Sequence, residues 1–566
     1  MSTALRLRAI VLALVAGLAL ADASIVTLAL PELLVELDTG VEGVAAVLGV
    51  YTGVLALALV PAWWIVRARG PVLVGATGLV VFALAAIACG VAGSLPALLA
   101  GRAVSAVGAA AGLVAAFALM IRGASEPLGR RLWPLAAVVG TATGPALGGA
   151  LTQAFDWRAI FLVQAPIALA GAAACLVGSR EGRGEARVEG GSAAARVESG
   201  SAAAPGAAPR TAAAIALALI SAALTAVLFL LVLLLVAGWS VEPLRAALAV
   251  SVIPLAALAG SRVRGDPRSR AVAGSLLLAG GVLALAFLPD AELGWTVVPQ
   301  LAAGAGMGLA LPALAGALLF ERSAADAAQL LAIRHAGIAL ALVAIAPIAA
   351  ADLDRATDRA RQRGVALVLD ADLPARRKLD LAPELLAGVE AQDPRAGLER
   401  ALAEQRPRFT GEQRFVFDRL ARRADETLVL AIGEAFTTVL LVTGGLALLA
   451  AFLLLPRARH PARLAAVLAS ATALAGGYAL LYDAISPEPV IIVDPCNGRD
   501  LPESGGLDGL LQKGALDLLD RAACRAGSSR EELVLALADE DEARRFRERH
   551  GVDPSTVGEL LRRALE

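Results

Sequence analysis

Asp22 is a carboxylate set in an otherwise apolar run covering 9–30, the first long hydrophobic stretch of the chain. An ionised carboxyl group inside a bilayer costs several kcal/mol, so such residues are rare and mostly functional. It must be neutralised by a proton, paired with a cation, or allowed to reach water. Arg102, in the run 96–121, is the cation that suits a pairing. Counted from the outer ends of their runs at 1.5 Å per residue, Asp22 and Arg102 lie roughly 12 and 9 Å deep, one level of a membrane. On neighbouring helices the guanidinium would favour the ionised carboxylate, and a movement separating them would favour proton uptake. That is a proton-coupling device; a fixed structural bridge is the other use of the same two residues. Glu434 is a third candidate for proton coupling, about 10 Å below the outer end of the run 428–455 by the same rise. It is either an auxiliary proton site or an end-of-helix acid reaching water. Tyr51 and Gln164 are polar groups in apolar runs, suited to lining a substrate cavity or to an ordinary interhelical hydrogen bond.

The elements that hold these groups follow from composition. The chain has 566 residues, 58% hydrophobic and 18% charged, with mean hydropathy +0.71. Repeated apolar runs of about 20 residues are transmembrane helices. Six such runs cover 9–30, 43–66, 72–91, 96–121, 132–155 and 159–178. A Gly/Ala/Ser/Arg/Glu-rich stretch, 179–210, has no apolar period and reads as a flexible cytoplasmic linker. Six more runs cover 211–237, 244–260, 271–288, 295–320, 330–351 and 428–455, and a thirteenth covers 464–482. The expected fold is therefore an all-α integral membrane protein: two six-helix halves, one extra C-terminal transmembrane helix and a small helical tail domain. The domains read as 1–178, the linker 179–210, a second half 211–455 with an insertion at 352–426, the extra helix within 456–484, and the tail 485–566. The insertion alternates charged and apolar residues and predicts two or three short amphipathic helices. In the tail, 507–525 has helical spacing, and Ser528-Ser529-Arg530-Glu531-Glu532 reads as a helix start.

Arginines test the topology independently. With a cytoplasmic N-terminus the inner loops carry Arg67 and Arg69, Arg122, Arg130 and Arg131, Arg180 to Arg210, Arg262, Arg264, Arg268 and Arg270, Arg322, and Arg457, Arg459 and Arg463. The short outer loops hold Arg158 and Arg245 among acids such as Glu32, Glu36, Asp290 and Glu292. This is the positive-inside distribution. It gives a multi-pass protein of the cell membrane whose tail lies outside. There Cys496 and Cys524 would close a loop in an oxidising compartment, or remain free thiols if the thirteenth run is peripheral. Matching Arg-rich loops, Arg67-Ala68-Arg69-Gly70-Pro71 and Arg262-Val263-Arg264-Gly265, suggest a duplicated half.

Within the fifth run, Gly140, Gly144 and Gly148 recur every four residues, with Pro145 and Gly149 among them. On a helix they form one bare stripe, a generic close-packing seam in lipid, with a bend expected at Pro145. The fuller string GTATGPALGG, followed by Asp156-Trp157-Arg158 and Phe161, resembles the antiporter motif of the major facilitator superfamily, in its drug:proton antiporter branch. Asp22-Ala23-Ser24-Ile25-Val26-Thr27-Leu28-Ala29-Leu30-Pro31 is similar to that branch's D-x-T-x-x-N-x-A-L-P, with Ser24 and Thr27 substituted. Arg102 to Ala110 resembles R-x-x-Q-G-x-G-A-A with the Gln and one Gly lost, and Arg334-His335-Ala336-Gly337 resembles Arg-x-x-Gly. The loop after the second helix departs from the family's G-x-L-x-D-R-x-G-R-R: around Arg67 and Arg69, the expected inner-gate residues, there is no acid.

The resemblance implies a secondary transporter that exports small amphiphilic molecules in exchange for protons by alternating access. Its partners would be the bilayer, a small-molecule substrate and protons, with no nucleic acid, and it would act as a monomer. The alternative is a degenerate, non-transporting scaffold presenting extracytoplasmic domains to a partner or ligand. The sequence carries no phosphate-binding, dinucleotide or hydrolase motif, so an enzyme or ATP-driven pump is disfavoured. Three scattered histidines and four cysteines predict no metal site, and no cofactor is called for.

Overall fold

The computed structural model describes residues 3–121, 126–177, 207–319, 323–374, 377–378, 381, 385, 394–457, 460–497 and 506–556. All regular elements among the described residues are helices. Twelve are long and apolar enough to cross a membrane. A further helix of 29 residues, Glu126–Ala154, carries the glycine motif. The expected all-α membrane fold is thus observed. Two compact units divide the chain, the first comprising Met1–Val236, Val241–Ala350 and Thr437–Tyr482.

In the first unit α1 is Thr3–Thr27, α2 Leu30–Glu36, α3 Val41–Arg69, α4 Pro71–Gly90, α5 Leu95–Met120, α6 Glu126–Ala154, α7 Trp157–Leu162 and α8 Gln164–Leu176. The first membrane helix ends earlier than its apolar run. Leu28 and Ala29 donate back to Ile25 and Val26 in tight turns, and Pro31, which has no N–H, opens α2. The expected linker lies outside the described residues except for 207–210, which are already helical in α9, Ala207–Leu233. Then come α10 Pro243–Val250, α11 Val252–Ser261, α12 Pro267–Leu285 and α13 Leu293–Leu318.

The two halves repeat one packing scheme. The third and fourth membrane helices pair closely in each half, α4 on α5 and α12 on α13, and the second and fourth pair as α3 on α5 and α11 on α13. Glycine permits both third–fourth contacts. A Cβ on Gly108 would lie 2.6 Å from Phe82 N, and one on Gly274 or Gly306 would lie 2.4 Å from the other's carbonyl oxygen. In lipid, where burial of apolar surface gives no net drive, such backbone-to-backbone approach supplies the packing.

Two helices run far past their apolar cores. The eleventh membrane helix, α14, spans Ala324–Asp370, and the twelfth, α16, spans Gly411–Leu454. At 1.5 Å per residue these are about 70 and 66 Å long, more than twice the ~30 Å hydrocarbon core. The sequence predicts separate short helices in 352–426; among the described residues α15, Pro394–Gln405, is one such helix, while the two ends of the segment belong to α14 and α16. The reason is local: after Ala351, α14 meets no proline, and Asp352 pairs with Arg355 one turn on.

The second unit contains Ala351–Phe436 and Asp483–Glu566. By their contacts, the expected insertion and tail fall in one compact unit. Its tail helices are α18 Gly506–Ala526, α19 Arg530–Ala538 and α20 Glu540–His550, reached through α17, Pro461–Ile485. Leu516, Leu519, Ala523, Leu533, Ala536 and Phe546 form a core against which Leu369 of α14 packs. Fully buried Arg530 bonds to Asp370 at 2.7 Å and Glu531 at 3.1 Å, and Arg361 reaches Glu542 at 3.3 Å. Ser529 caps α19 by accepting from Glu532 N–H. Two membrane-length helices, α16 and α17, separate insertion from tail, and two crossings return a chain to the side it left. The Sγ atoms of Cys496 and Cys524 are 2.08 Å apart, closing a separation of 28 residues. On the loop-entropy relation, such a cross-link contributes about 3 kcal/mol. Cys496→Ser should therefore lower the unfolding temperature of this unit and its protease resistance, and reductant should do the same to the unmodified protein but not to the variant. Thiol labelling of both cysteines without reductant would refute the cross-link.

Candidate functional site

Four helices bring polar groups into the apolar interior of the first half. α5 places Arg102 opposite Asp22 of α1 in a two-pronged pair: Nη1 donates to Oδ1 at 2.9 Å and Nη2 to Oδ2 at 2.5 Å. The two side chains are 1% and 0% exposed. Arg102 lies seven residues into α5 and Asp22 five residues before the end of α1, so both sit well below their helix ends.

Tyr51 and Gln164 belong to the same cluster. Gln164, the first residue of α8, donates from Nε2 to Asp22 Oδ1 at 3.1 Å. The Tyr51 ring lies 4.2 Å from the Arg102 guanidinium carbon, and the Phe161 ring 5.5 Å. Tyr51 OH donates to the Ala19 carbonyl at 3.1 Å. Arg102 Nε donates to the Val47 carbonyl at 3.2 Å. Both Tyr51 and Gln164 are fully buried, so in this conformation they line the ion pair rather than an open cavity. The arrangement satisfies a buried charge pair as physics requires, with hydrogen bonds on atoms the partner leaves free. The Val47 carbonyl had no signal in the sequence, because a backbone acceptor can be supplied by any residue type.

Glu434 is elsewhere. It belongs to the second unit, bonded to Arg359 at 2.7 Å and to Arg363 at 3.3 Å. The depth inferred for it assumed a helix starting at 428, but α16 starts at Gly411. Glu434 therefore stands more than six turns along a helix that is polar at that end, and its charge is met by arginines of α14.

α6 lies along α1 through its bare stripe. A Cβ on Gly140 would fall 2.3 Å from Gly17 O, one on Gly144 2.8 Å from Ser24 Cβ, and one on Gly148 2.3 Å from Ile25 O. Gly149, one residue on, faces the second half: its Cβ would lie 2.5 Å from Ala247 Cβ of α10. Pro145 is buried in the stripe, and the helix continues through it.

Asp156-Trp157-Arg158 form a latch with two acids of α2 whose role the sequence did not reveal. Asp156 caps α7, accepting from Arg158 N–H at 2.8 Å. Trp157 N–H donates to Glu32 at 3.0 Å, while Trp157 Nε1 and Arg158 Nη1 donate to Glu36 at 2.8 and 2.7 Å. Burial pushes the Glu32 carboxyl above its ordinary range. The hydrogen bonds from Trp157 and then Arg158 hold Glu36 below it. The spacing i, i+4 after a proline was the available clue.

Arg67 lies over the Trp63 ring at 5.9 Å. Among the described residues neither Arg67 nor Arg69 makes an ion pair. His335 is buried, its Nδ1 2.7 Å from the Leu331 carbonyl oxygen.

Residues 12–351, more than half the chain, match the family described as Major Facilitator Superfamily. Multidrug resistance protein Stp of Mycobacterium tuberculosis (strain CDC 1551 / Oshkosh) is 29% identical over 150 residues, 26% of this chain and 28% of that protein. Multidrug export protein EmrB of Escherichia coli (strain K12) is 26% identical over 164 residues, 28% of this chain and 32% of that one. The matches thus span less than a third of either relative's length. The crystal structure of a bacterial homolog to the human lysosomal transporter Spinster, inward-facing and occupied, superposes with a TM-score of 0.53 at 16% identity, covering 81% of this chain and all of that one. That likeness is one of fold.

The glycine seam yields a direct test. Gly148→Val drives two methyls toward the Ile25 carbonyl and should destabilise the fold by about 1–3 kcal/mol, the usual cost of overpacking. Gly445→Ala, where an added Cβ meets nothing within 4 Å, should leave stability unchanged or raised. Thermal unfolding followed by size-exclusion chromatography distinguishes them; equal stability of both variants would refute the seam.

Proposed function

Because the chain belongs to the major facilitator superfamily, we propose that it is a secondary transporter exporting small amphiphilic molecules in exchange for protons, by alternating access of its two six-helix halves. The observation that carries this reading is the Asp22–Arg102 pair, closed off from solvent. The substrate class rests on the likeness to Stp and EmrB. The arginine distribution and the cysteine pair support a cell-membrane protein with a cytoplasmic N-terminus and an extracytoplasmic second unit. A monomer suffices for the mechanism.

In the conformation described, both Asp22 oxygens accept hydrogen bonds, Oδ1 from Arg102 and Gln164 and Oδ2 from Arg102. Withdrawal of a donor would favour proton binding. Arg102 has other holds, the Val47 carbonyl and the Tyr51 ring, so it need not move into oil uncompensated when Asp22 is protonated. The route from the second half to Asp22 is short. α10 bears on Gly149, and three turns of the same α6 stripe bear on α1 at Gly17, Ser24 and Ile25, flanking Asp22. Rocking of the halves thereby shifts α1 against α5 and changes the carboxylate's environment.

A scaffold without transport is the second reading, favoured by the large second unit and by the missing acid beside Arg67 and Arg69. Asp22→Asn separates the two. Asparagine keeps the volume and a carbonyl acceptor for Arg102 while removing the exchangeable proton. In everted membrane vesicles with a proton-sensitive dye and lipophilic cations, substrate-driven proton movement should fall more than about tenfold, as for loss of an essential proton carrier, with the variant still folded on size-exclusion chromatography. Undiminished flux would overturn proton coupling through Asp22; no flux in either protein would favour the scaffold.

A further inference from the structure

The inner end of α3 opens onto an unfilled groove. It is a cleft of about 350 Å³ between α3, α4 and α5, with Arg69 at one end and Leu73, Thr77, Val81, Val107 and Ala111 along it. Leu73 and Val107 are more than half exposed and Val81 more than a third, although all lie on membrane-length helices. From Leu73 to Val81 the groove follows α4 for about 12 Å, most of the ~15 Å depth of one leaflet. Its one hydroxyl is satisfied within the helix: Thr77 donates to the Leu73 carbonyl at 2.9 Å. The trough offers nothing but apolar wall to whatever fills it.

The charged end is one-sided. No Asp or Glu occurs between Glu42 and Glu126, so this segment supplies Arg67 and Arg69 with no counter-charge. Among the described residues neither arginine has an ion-pair partner elsewhere. Gly70, at φ +86°, turns the chain into α4 without adding a side chain at the mouth. Trp63 and Trp64 stand edge to face 5.6 Å apart one to two turns before it, and Trp64 is 65% exposed. Indole rings prefer the headgroup level of a membrane.

We infer that this groove is a binding site for one anionic phospholipid, its phosphate on Arg69 with Arg67 adding to the field, and one acyl chain lying in the trough between α4 and α5. An amphiphile with a negative head and an apolar tail of single-leaflet length matches both ends of the site. A zwitterionic lipid fits the trough but brings a cation to a place that already holds two. The leaflet depends on the orientation proposed above; the site itself does not.

Native mass spectrometry of the full-length protein, released from detergent with matched-chain phosphatidylglycerol or phosphatidylcholine, tests this without reference to transport or sidedness. Each basic residue near a lipid surface favours the anionic headgroup by about fivefold. The unmodified protein should thus retain phosphatidylglycerol at least about fivefold better, and Arg69→Gln should lose most of that preference. Val107→Phe, which fills the trough from the lipid-facing side, should weaken both lipids while keeping the preference. Inorganic phosphate should not displace the lipid. Equal retention of the two lipids, or a preference unchanged by Arg67→Gln/Arg69→Gln, would overturn the assignment. So would a dimer whose formation excludes lipid, which would give the groove to a second copy.

Discussion

A charge taken out of water must be met by an opposite charge and by hydrogen bonds on every atom the partner leaves free, and the first half is built around one such case. Asp22 and Arg102 meet head-on with two bonds, and Gln164, Val47 and the Tyr51 ring take up what remains. These groups come from α1, α3, α5 and α8, so the pair helps decide which helices can be neighbours. Breaking it by removing one partner would leave an uncompensated buried charge, which costs far more than the intact pair contributes. The donors to the carboxylate sit on two different helices, α5 and α8.

The helices around the pair approach backbone to backbone, which glycine alone permits. α6 touches α1 carbonyls at Gly140 and Gly148, at distances that any side chain would prevent. α4 meets α5 through Gly108, and α12 meets α13 through Gly274 and Gly306, so the duplicated halves use one solution to pack in a solvent as apolar as themselves. Gly149 differs in facing across to α10. α6 is thus packed on one edge by α1 and on the next by the opposite half.

The second unit holds a buried charge of its own. Arg530 is fully buried and meets Asp370 and Glu531, tying a tail helix to the end of α14. Around it, pairs such as Arg359–Glu434 are partly exposed, 45% and 25%. They set register more than stability, because water screens them.

Much of this was legible in the residues. Apolar runs and arginine placement determined the number of crossings and the division into halves. The oddity of an acid in oil marked Asp22, and the four-residue recurrence of glycine marked the face of α6 that must touch another backbone. Helix ends were less legible, because charged helix-forming residues after Ala351 and before Leu428 carry no stop signal and the helices simply continue. Partners were legible only in part: matching depth suggested Arg102 for Asp22, but nothing suggested Asp370 for Arg530. Asp22 and Arg102 are 80 residues apart, Arg530 and Asp370 are 160, and depth in a membrane limits a partner without choosing it. Only tertiary packing decided that Tyr51 and Gln164 join the same pair, that Glu434 belongs to arginines of α14, and that insertion and tail form one body. The physical reason is range: hydrophobicity, periodicity and loop charge act on neighbours along the chain, whereas pairing of buried charges and seating of helix on helix are set by contacts that the chain makes only once folded.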